Sequence, residues 1–221
     1  MKRTDEEIKK NIVDQLYWDN RIDASKITVE VDQGVVMLSG TVPTYSARKR
    51  VHADAMTVPG VLSITDNTAV EYGSTALADE IIRSNIKKII DWNPDVNAAD
   101  MTVTVEKGWV VLEGAVETLW MKNQAEDVIS NIGGVTGITN KLSVVPGKGI
   151  LDEVIAKDII EAMDRNVQVD VNSLNVKVDN GTVTLVGTVS TWSAYQAAYE
   201  SALYTNGVTE IRNHLVLGAS A

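Results

Sequence analysis

Histidine and cysteine, two side chains that often carry catalysis, are few or absent in this chain and form no known catalytic pattern. There are two histidines, His52 and His214, and no cysteine. Neither histidine belongs to an H-E-x-x-H motif or to a pair spaced for metal binding, and Ser39 and Ser190 lack the Gly-x-Ser-x-Gly elbow of a nucleophilic serine. We therefore expect isolated surface histidines, no cofactor and no enzymatic activity.

Patterns that hold phosphates or metal ions are also missing from the sequence. The glycines form neither a P-loop nor a G-x-G-x-x-G motif, and no stretch matches the D-x-[DN]-x-[DN]-G loop that binds calcium. Three acidic residues, Asp5, Asp79 and Asp152, recur at one fixed distance before a glycine, and each begins a predicted helix. A carboxylate at the start of a helix is stabilised by the positive end of the helix dipole and can cap free N–H groups. We therefore predict a structural role for all three aspartates.

A short basic run is the first candidate for binding. Arg48, Lys49 and Arg50, followed by His52, lie in a predicted helix. They could hold lipid phosphates, with about 1 kcal/mol of attraction per basic residue near an anionic surface. The alternative is a solvated helix face that binds nothing, and we favour that interpretation.

Aromatic side chains are the second group of binding candidates. Trp109 follows a predicted hairpin turn on the outer side of its strand, whereas Tyr45, Trp120 and Trp192 lie near the corner that opens a predicted helix. Exposed aromatic side chains can settle at a membrane interface, and they can equally pack against a neighbouring domain or a partner. We favour packing and keep lipid contact as the alternative.

Composition and charge exclude several classes of function. The chain has 221 residues, a formal net charge of −10, and 44% hydrophobic and 23% charged residues. Such an acidic chain lacks the basic surface that general nucleic-acid binding requires. No segment approaches the roughly 18 uninterrupted apolar residues of a membrane span, and the acidic N-terminal region lacks the apolar run of a signal peptide. We expect a soluble protein, cytoplasmic as the sequence stands and periplasmic if its N-terminus has been trimmed.

One hairpin pattern occurs three times and sets the register of the whole chain. Its copies are residues 29–42 (VEVDQGVVMLSGTV), 103–116 (VTVEKGWVVLEGAV) and 176–189 (VKVDNGTVTLVGTV). Alternation of apolar and polar residues is typical of half-buried strands. A two-residue connection that ends in glycine indicates a tight turn, of type I′ where Asn-Gly occurs.

Two helices and a third strand complete each repeat. A helix with apolar residues at every fourth position precedes the hairpin, and a helix with small inward residues follows it. Trp18 and Trp92 end the first helix of two repeats and are expected to pack. The sequence predicts an α+β fold of three tandem α-β-β-α-β domains, each a three-stranded sheet covered on one face by two helices. The predicted domains are residues 1–73, 74–147 and 148–221.

Nine glycines recur at three equivalent positions. The first closes the hairpin turn, the second ends the second strand, and the third ends the second helix as a left-handed C′ residue. The predicted structural glycines are Gly34, Gly40, Gly60, Gly108, Gly114, Gly134, Gly181, Gly187 and Gly207.

Each repeat resembles a BON domain, a family named after bacterial OsmY and nodulation proteins. The matching features are the acidic first helix, an [IV]-[DN] loop, the motif V-x-V-x-x-G-x-V-x-L-x-G-x-V, an Ala-rich second helix and a closing G-V-x-x-[VI]-x-[ND]. The first repeat departs at Asp66, where the others have Asn140 and Asn213, and at Thr68, where they have leucine. The resemblance implies a bacterial, non-enzymatic protein of the kind associated with phospholipids, the cell envelope or osmotic stress.

The residues and the resemblance together predict a non-catalytic binding or scaffold protein. Its predicted partners are phospholipid head groups or a membrane-associated protein, with nucleic acid excluded. The alternative is a soluble chaperone-like or structural interaction protein that does not bind lipid. A small-molecule or ion sensor is a third possibility, because the loops are polar and repeated.

Overall fold

The computed structural model describes residues 3–71, 77–94 and 101–218. Within them the order helix, strand, strand, helix, strand occurs three times, as predicted. The predicted loop at Val96-Asn97 and most of the predicted connection at residues 72–78 lie outside the described residues.

The three domains have nearly identical element lengths. The first contains α1 (Asp5–Trp18), β1 (Ile27–Asp32), β2 (Val35–Val42), α2 (Tyr45–Thr57) and β3 (Ser63–Val70). The second contains α3 (Asp79–Trp92), β4 (Met101–Glu106), β5 (Trp109–Val116), α4 (Leu119–Ser130) and β6 (Gly137–Val144). The third contains α5 (Asp152–Asp164), β7 (Leu174–Asp179), β8 (Thr182–Val189), α6 (Trp192–Leu203) and β9 (Glu210–Leu217).

Each domain is built on a three-stranded sheet whose strands lie in sequence order. The tight hairpin makes the first two strands antiparallel, and the helical crossover returns the third strand parallel to the second. The second strand is therefore central, and its inward residues, such as Val36 and Leu38, are fully buried. The predicted α+β class, with three tandem α-β-β-α-β units, is confirmed.

The core of each domain lies between the sheet and its two helices. The apolar residues at every fourth position of the first helix are buried, as are the small residues of the second helix. These core residues are Ile8, Ile12, Leu16, Val51 and Ala55; Ile82, Ile86, Ile90, Ala125 and Ile129; and Ile155, Ile159, Met163, Ala198 and Ala202. The predicted helical stripes are therefore correct in all three domains.

The repeated aspartate fastens the first helix to the hairpin turn. Asp152 accepts hydrogen bonds from the backbone N–H groups of Asn180 (2.8 Å) and Gly181 (2.9 Å), and Asp5 and Asp79 make the equivalent pairs. The same two backbone bonds hold the pKa of the Asp79 carboxyl below its usual value. The predicted capping role is therefore wrong, because these carboxylates satisfy the donors of a turn instead of those of their own helix.

The recurring glycines serve either the conformation of a hairpin turn or close packing of the backbone. Both turn residues have positive φ in each hairpin, as a type I′ turn requires. The second strand does not end at Gly40 but continues to Val42; a Cβ on Gly40 would lie 2.0 Å from a backbone oxygen. Gly60 lies beyond the C′ position of α2, and its role is close packing, since a Cβ there would lie 2.8 Å from Ile8 Cδ1.

The three domains contact one another in a cycle. Tyr45, Leu119 and Trp192 each occupy the first position of the second helix of their domain. Tyr45 packs against the core of the second domain, Leu119 belongs to the core of the third, and Trp192 packs against the core of the first. Each core is thus completed by a side chain from another domain, and the first and third domains meet although they are far apart in sequence.

Candidate binding surfaces

The basic run of α2 forms ion pairs within and between domains. Arg48 lies against Asp66 of β3, with its Nε 3.2 Å from Oδ2, and a second guanidinium nitrogen donates to the Asp66 backbone oxygen. Lys49 forms an ion pair with Asp127 of α4, and its Nζ is 3.8 Å from a carboxylate oxygen of Glu126. The first two basic residues of the run are therefore occupied by carboxylates of the protein itself.

Arg50 also contacts the second domain. One of its guanidinium nitrogens donates to Asn131 Oδ1 at 3.3 Å, and another donates to Ser46 in its own helix. A related contact joins the second and third domains, where the amide of Asn123 donates to the Tyr199 hydroxyl at 3.4 Å. Since Lys49 and Asn123 hold equivalent positions in α2 and α4, the same helix surface joins successive domains.

The aromatic residues at the helix corners are partly buried. Tyr45 and Trp192 contact the core of a neighbouring domain, and the Trp192 ring stacks on Tyr195 with 4.7 Å between ring centroids. Burial raises the pKa of the Tyr45 hydroxyl, in keeping with this position. Trp120 is half-buried at the same corner of the second domain. The structure thus places Tyr45 and Trp192 at domain contacts.

Trp109 stands apart from this group on the open face of the second sheet. It begins β5 with its side chain opposite the buried Val110, and 49% of the residue is exposed. Its indole Nε1–H donates to Thr139 Oγ1 at 2.9 Å. The predicted outward orientation is therefore correct, and the side chain is fixed by a hydrogen bond to β6.

Trp18 and Trp92 are the most exposed tryptophans among the described residues, at 83% and 87%. The prediction that they pack inside is wrong. Trp18 lies two residues after the buried Leu16, and Trp92 lies two residues after the buried Ile90. Two steps along a helix rotate the side chain by about 200° around the helix axis, so both indoles point away from the core. Their position around the helix, relative to the apolar residues at every fourth position, is the sequence signal that could have predicted their exposure.

The exposed neighbours of these two tryptophans differ between the helices. On α3, Ile81, Ile89 and Trp92 share one flank of the helix, and the exposed Lys88 lies on the same flank. On α1, the exposed Tyr17 precedes Trp18, and the exposed Asp14 lies one turn before it. We call these two exposed sets, each with its tryptophan, the α1 surface and the α3 surface.

Three titratable groups of the first domain have unusual surroundings. Burial, with the adjacent Asp19 carboxylate, raises the pKa of Asp54 to about 6, and no donor within the described part of the chain reaches the buried Oδ2 of Asp54. Arg21 holds the pKa of Asp19 well below its usual range through an ion pair of 2.7 Å. His52 is half-buried, and desolvation lowers its pKa, so the prediction of a surface histidine is wrong at this position.

The part of the chain that the structure describes holds neither a metal-binding cluster nor a membrane-spanning helix. There, no three side chains of the His, Cys, Asp or Glu types could hold a metal ion together. Among the same residues, no helix is both long and apolar enough to cross a membrane.

The sequence model of the BON domain matches residues 4–72, 78–146 and 151–219. The chain belongs to the BON domain family. It is 26% identical over 186 residues to the osmotically-inducible protein Y of Escherichia coli (strain K12), a match that spans 81% of this chain and 92% of that protein. Among solved structures, CdsD, a structural protein of the type III secretion system of Chlamydia trachomatis, is 15% identical and covers 97% of this chain and 92% of its own, but its TM-score of 0.29 supports no comparison.

In the first BON domain, Asp66 takes the place that asparagine holds in the other two domains, and it makes two additional contacts. In the second and third domains, Asn140 and Asn213 accept the backbone N–H two residues later, and Asp66 does the same for Thr68. The aspartate in addition pairs with Arg48 and accepts the hydroxyl of the buried Thr68. One carboxylate therefore replaces an asparagine where a cation and a polar core side chain both need an acceptor.

Proposed function

We propose that this three-BON-domain protein is a non-catalytic bacterial binding protein of a stress response, which associates with phospholipid surfaces through the α1 and α3 surfaces. The observation that carries the proposal is the exposure of Trp18 and Trp92, at 83% and 87%, at equivalent ends of two helices. The similarity to a protein named osmotically inducible supports the connection with stress.

The composition of the α3 surface suits the boundary between water and lipid, and the α1 surface adds the exposed Tyr17 and Trp18. An indole ring at a helix end can enter the interface while its N–H stays hydrated, and the exposed isoleucines of α3 add apolar area. Lys88, on the same flank, would contribute about 1 kcal/mol of attraction at an anionic surface. Because the net charge of −10 opposes such attraction at long range, association should be shallow, local and sensitive to salt.

Five of the residues that the sequence offers for lipid contact are held by other groups of the protein. Arg48, Lys49 and Arg50 bind acceptors on their own or the next domain, and Tyr45 and Trp192 contact neighbouring cores. A side chain already held by a carboxylate or by a core gains less from a lipid head group, since it must first leave that partner. We therefore assign Lys49, Arg50, Tyr45 and Trp192 to contacts between domains, and Arg48 to an ion pair within the first domain.

Co-sedimentation with vesicles tests the proposed function. Whole protein should sediment with vesicles that contain phosphatidylglycerol, less with pure phosphatidylcholine, and less again when salt is raised. The double variant Trp18→Ala/Trp92→Ala should lose most of this binding. Trp109→Ala is the matched control, because it removes an exposed tryptophan on another face and should bind normally. Protein that stays in the supernatant with every vesicle type would refute the proposal.

A soluble interaction protein is the second candidate function. The α3 surface favours it, because Ile81, Ile89 and Trp92 on one flank of a helix could equally receive an apolar helix of a protein partner. In that case the double variant would lose a protein partner in pull-down from a bacterial lysate, while vesicles would not bind the wild-type chain.

A further inference from the structure

Trp109 forms a fixed aromatic platform on the open sheet face of the second domain. Its six-membered ring lies over Gly137 of β6, where an added Cβ would be 2.4 Å from Cζ3. Its Nε1–H is bound to Thr139 Oγ1 at 2.9 Å, two residues along the same strand. The ring is therefore held against the sheet at two points while about half of the residue, 49%, remains exposed.

Comparison of the three domains indicates that this platform belongs to the second domain alone. At the positions of Trp109 and Gly137, the first domain has Val35 and Ser63, and the third has Thr182 and Glu210. A side chain at position 137 would occupy the space of the indole, so the tryptophan and the glycine depend on each other. The pair is absent from both other domains although the sheets share one register.

A hollow of about 620 Å³ borders the platform. Trp109 and Val111 supply its apolar part, and Thr104, Thr136, Glu106 and Lys107 supply polar groups around it. The hollow is open to solvent, so a ligand would contact the sheet with one face only, against a lining that mixes apolar and polar groups. The adjacent Glu106 and Lys107 carry opposite charges, so neither an anion nor a cation is favoured on charge alone.

We propose that this hollow binds a neutral glycan, with one sugar ring stacked on Trp109. The C–H groups on one face of a pyranose match the electron-rich face of an indole, and its equatorial hydroxyls reach outward to hydrogen-bond partners such as Thr104 and Glu106. A quaternary ammonium is another ligand that tryptophan attracts, but an aromatic cage needs several rings and Trp109 is the sole aromatic residue among those lining the hollow. The inference is independent of phospholipid binding, which the proposed function places on α1 and α3.

Nuclear magnetic resonance of the whole ¹⁵N-labelled chain tests this proposal. The chain has five tryptophans and so gives five indole N–H signals, and the signal of Trp109 is identified by its loss in Trp109→Ala. The probes are hexasaccharides of β-1,4-linked glucose, β-1,4-linked N-acetylglucosamine and α-1,4-linked glucose. We expect at least one of them to shift the Trp109 signal saturably, with the other four indole signals unchanged.

Variants separate a stacking site from an unspecific effect. Trp109→Ala should weaken glycan affinity by about tenfold or more, as expected for a central aromatic contact. Thr104→Val, which keeps a β-branched shape and removes the hydroxyl, should also weaken it, whereas Trp18→Ala should have no effect. Failure of all three sugars to shift the Trp109 signal would overturn the proposal, and so would equal affinity of wild type and both hollow variants.

Discussion

Removal of the Trp192 side chain should loosen the first domain, although Trp192 belongs to the third. A tryptophan buries about 150–250 Å², which at about 25 cal/mol per Å² corresponds to about 4–6 kcal/mol. Trp192 shares its contacts between Tyr195 of its own helix and the core of the first domain. About half of that energy, 2–3 kcal/mol, should therefore depend on contact between the two domains.

Hydrogen exchange measured by mass spectrometry is the assay for this prediction. A loss of 2–3 kcal/mol corresponds to exchange faster by about 30- to 150-fold for amides of the first domain that open with the contact. Peptides from α1, β2 and α2 should show it in Trp192→Ala. Trp18→Ala is the matched control, since it removes an exposed tryptophan from the first domain itself and should change exchange far less. Unchanged exchange in the first domain of Trp192→Ala would refute the cyclic packing.

Two further variants test the electrostatic contacts inside single domains. Asp152→Asn should lower the thermal midpoint more than Glu153→Gln, because the amide presents one acceptor oxygen to the two turn N–H groups that the carboxylate binds; equal midpoints would contradict this role. Asp54→Asn should stabilise the protein by about 1 kcal/mol at pH 7, a value discounted for partial exposure, and by nearly nothing at pH 4. The sign follows because the folded pKa of about 6 exceeds the ordinary value of 3.8, so the wild type loses stability as pH rises from about 4 to 6. Urea unfolding at both pH values measures the difference, with Asp14→Asn as an exposed control, and a gain independent of pH would contradict the assigned cause.

Most of the fold could be predicted from the sequence, because one pattern occurs three times and each copy supports the interpretation of the others. Alternation in the strands, four-residue steps in the helices and a glycine turn in one register identify each element, and the structure differs mainly at element ends. The second strand continues past Gly40, where the absence of a side chain allows the backbone at Lys26 to approach closely. The periodicity of apolar residues gives no information about such a contact. The role of Asp152 was hidden for the same reason, since its partners are backbone N–H groups of a distant turn.

The binding surfaces were less predictable because they depend on contacts between domains. Lys49 lies in an exposed-looking basic run, but its carboxylate partner Asp127 lies in the next domain. Nothing local in the sequence distinguishes a paired lysine from a free one. Trp18 and Trp92 were different, because their helical phase relative to Leu16 and Ile90 already placed them on the outside. The Trp109 platform needed the structure, since only the sheet register brings Gly137 and Thr139 beside it.

The most direct test of the proposed phospholipid association is quenching of tryptophan fluorescence by brominated lipids. Bromine on the upper acyl chain quenches an indole only at close range, so vesicles of brominated phosphatidylglycerol report which tryptophans reach the interface. The wild-type chain should be quenched, and Trp18→Phe/Trp92→Phe should lose that quenching while Trp109, Trp120 and Trp192 keep their emission. Quenching that persists unchanged in the double variant, or no quenching of the wild type, would contradict the assignment of Trp18 and Trp92 as the lipid-contacting residues.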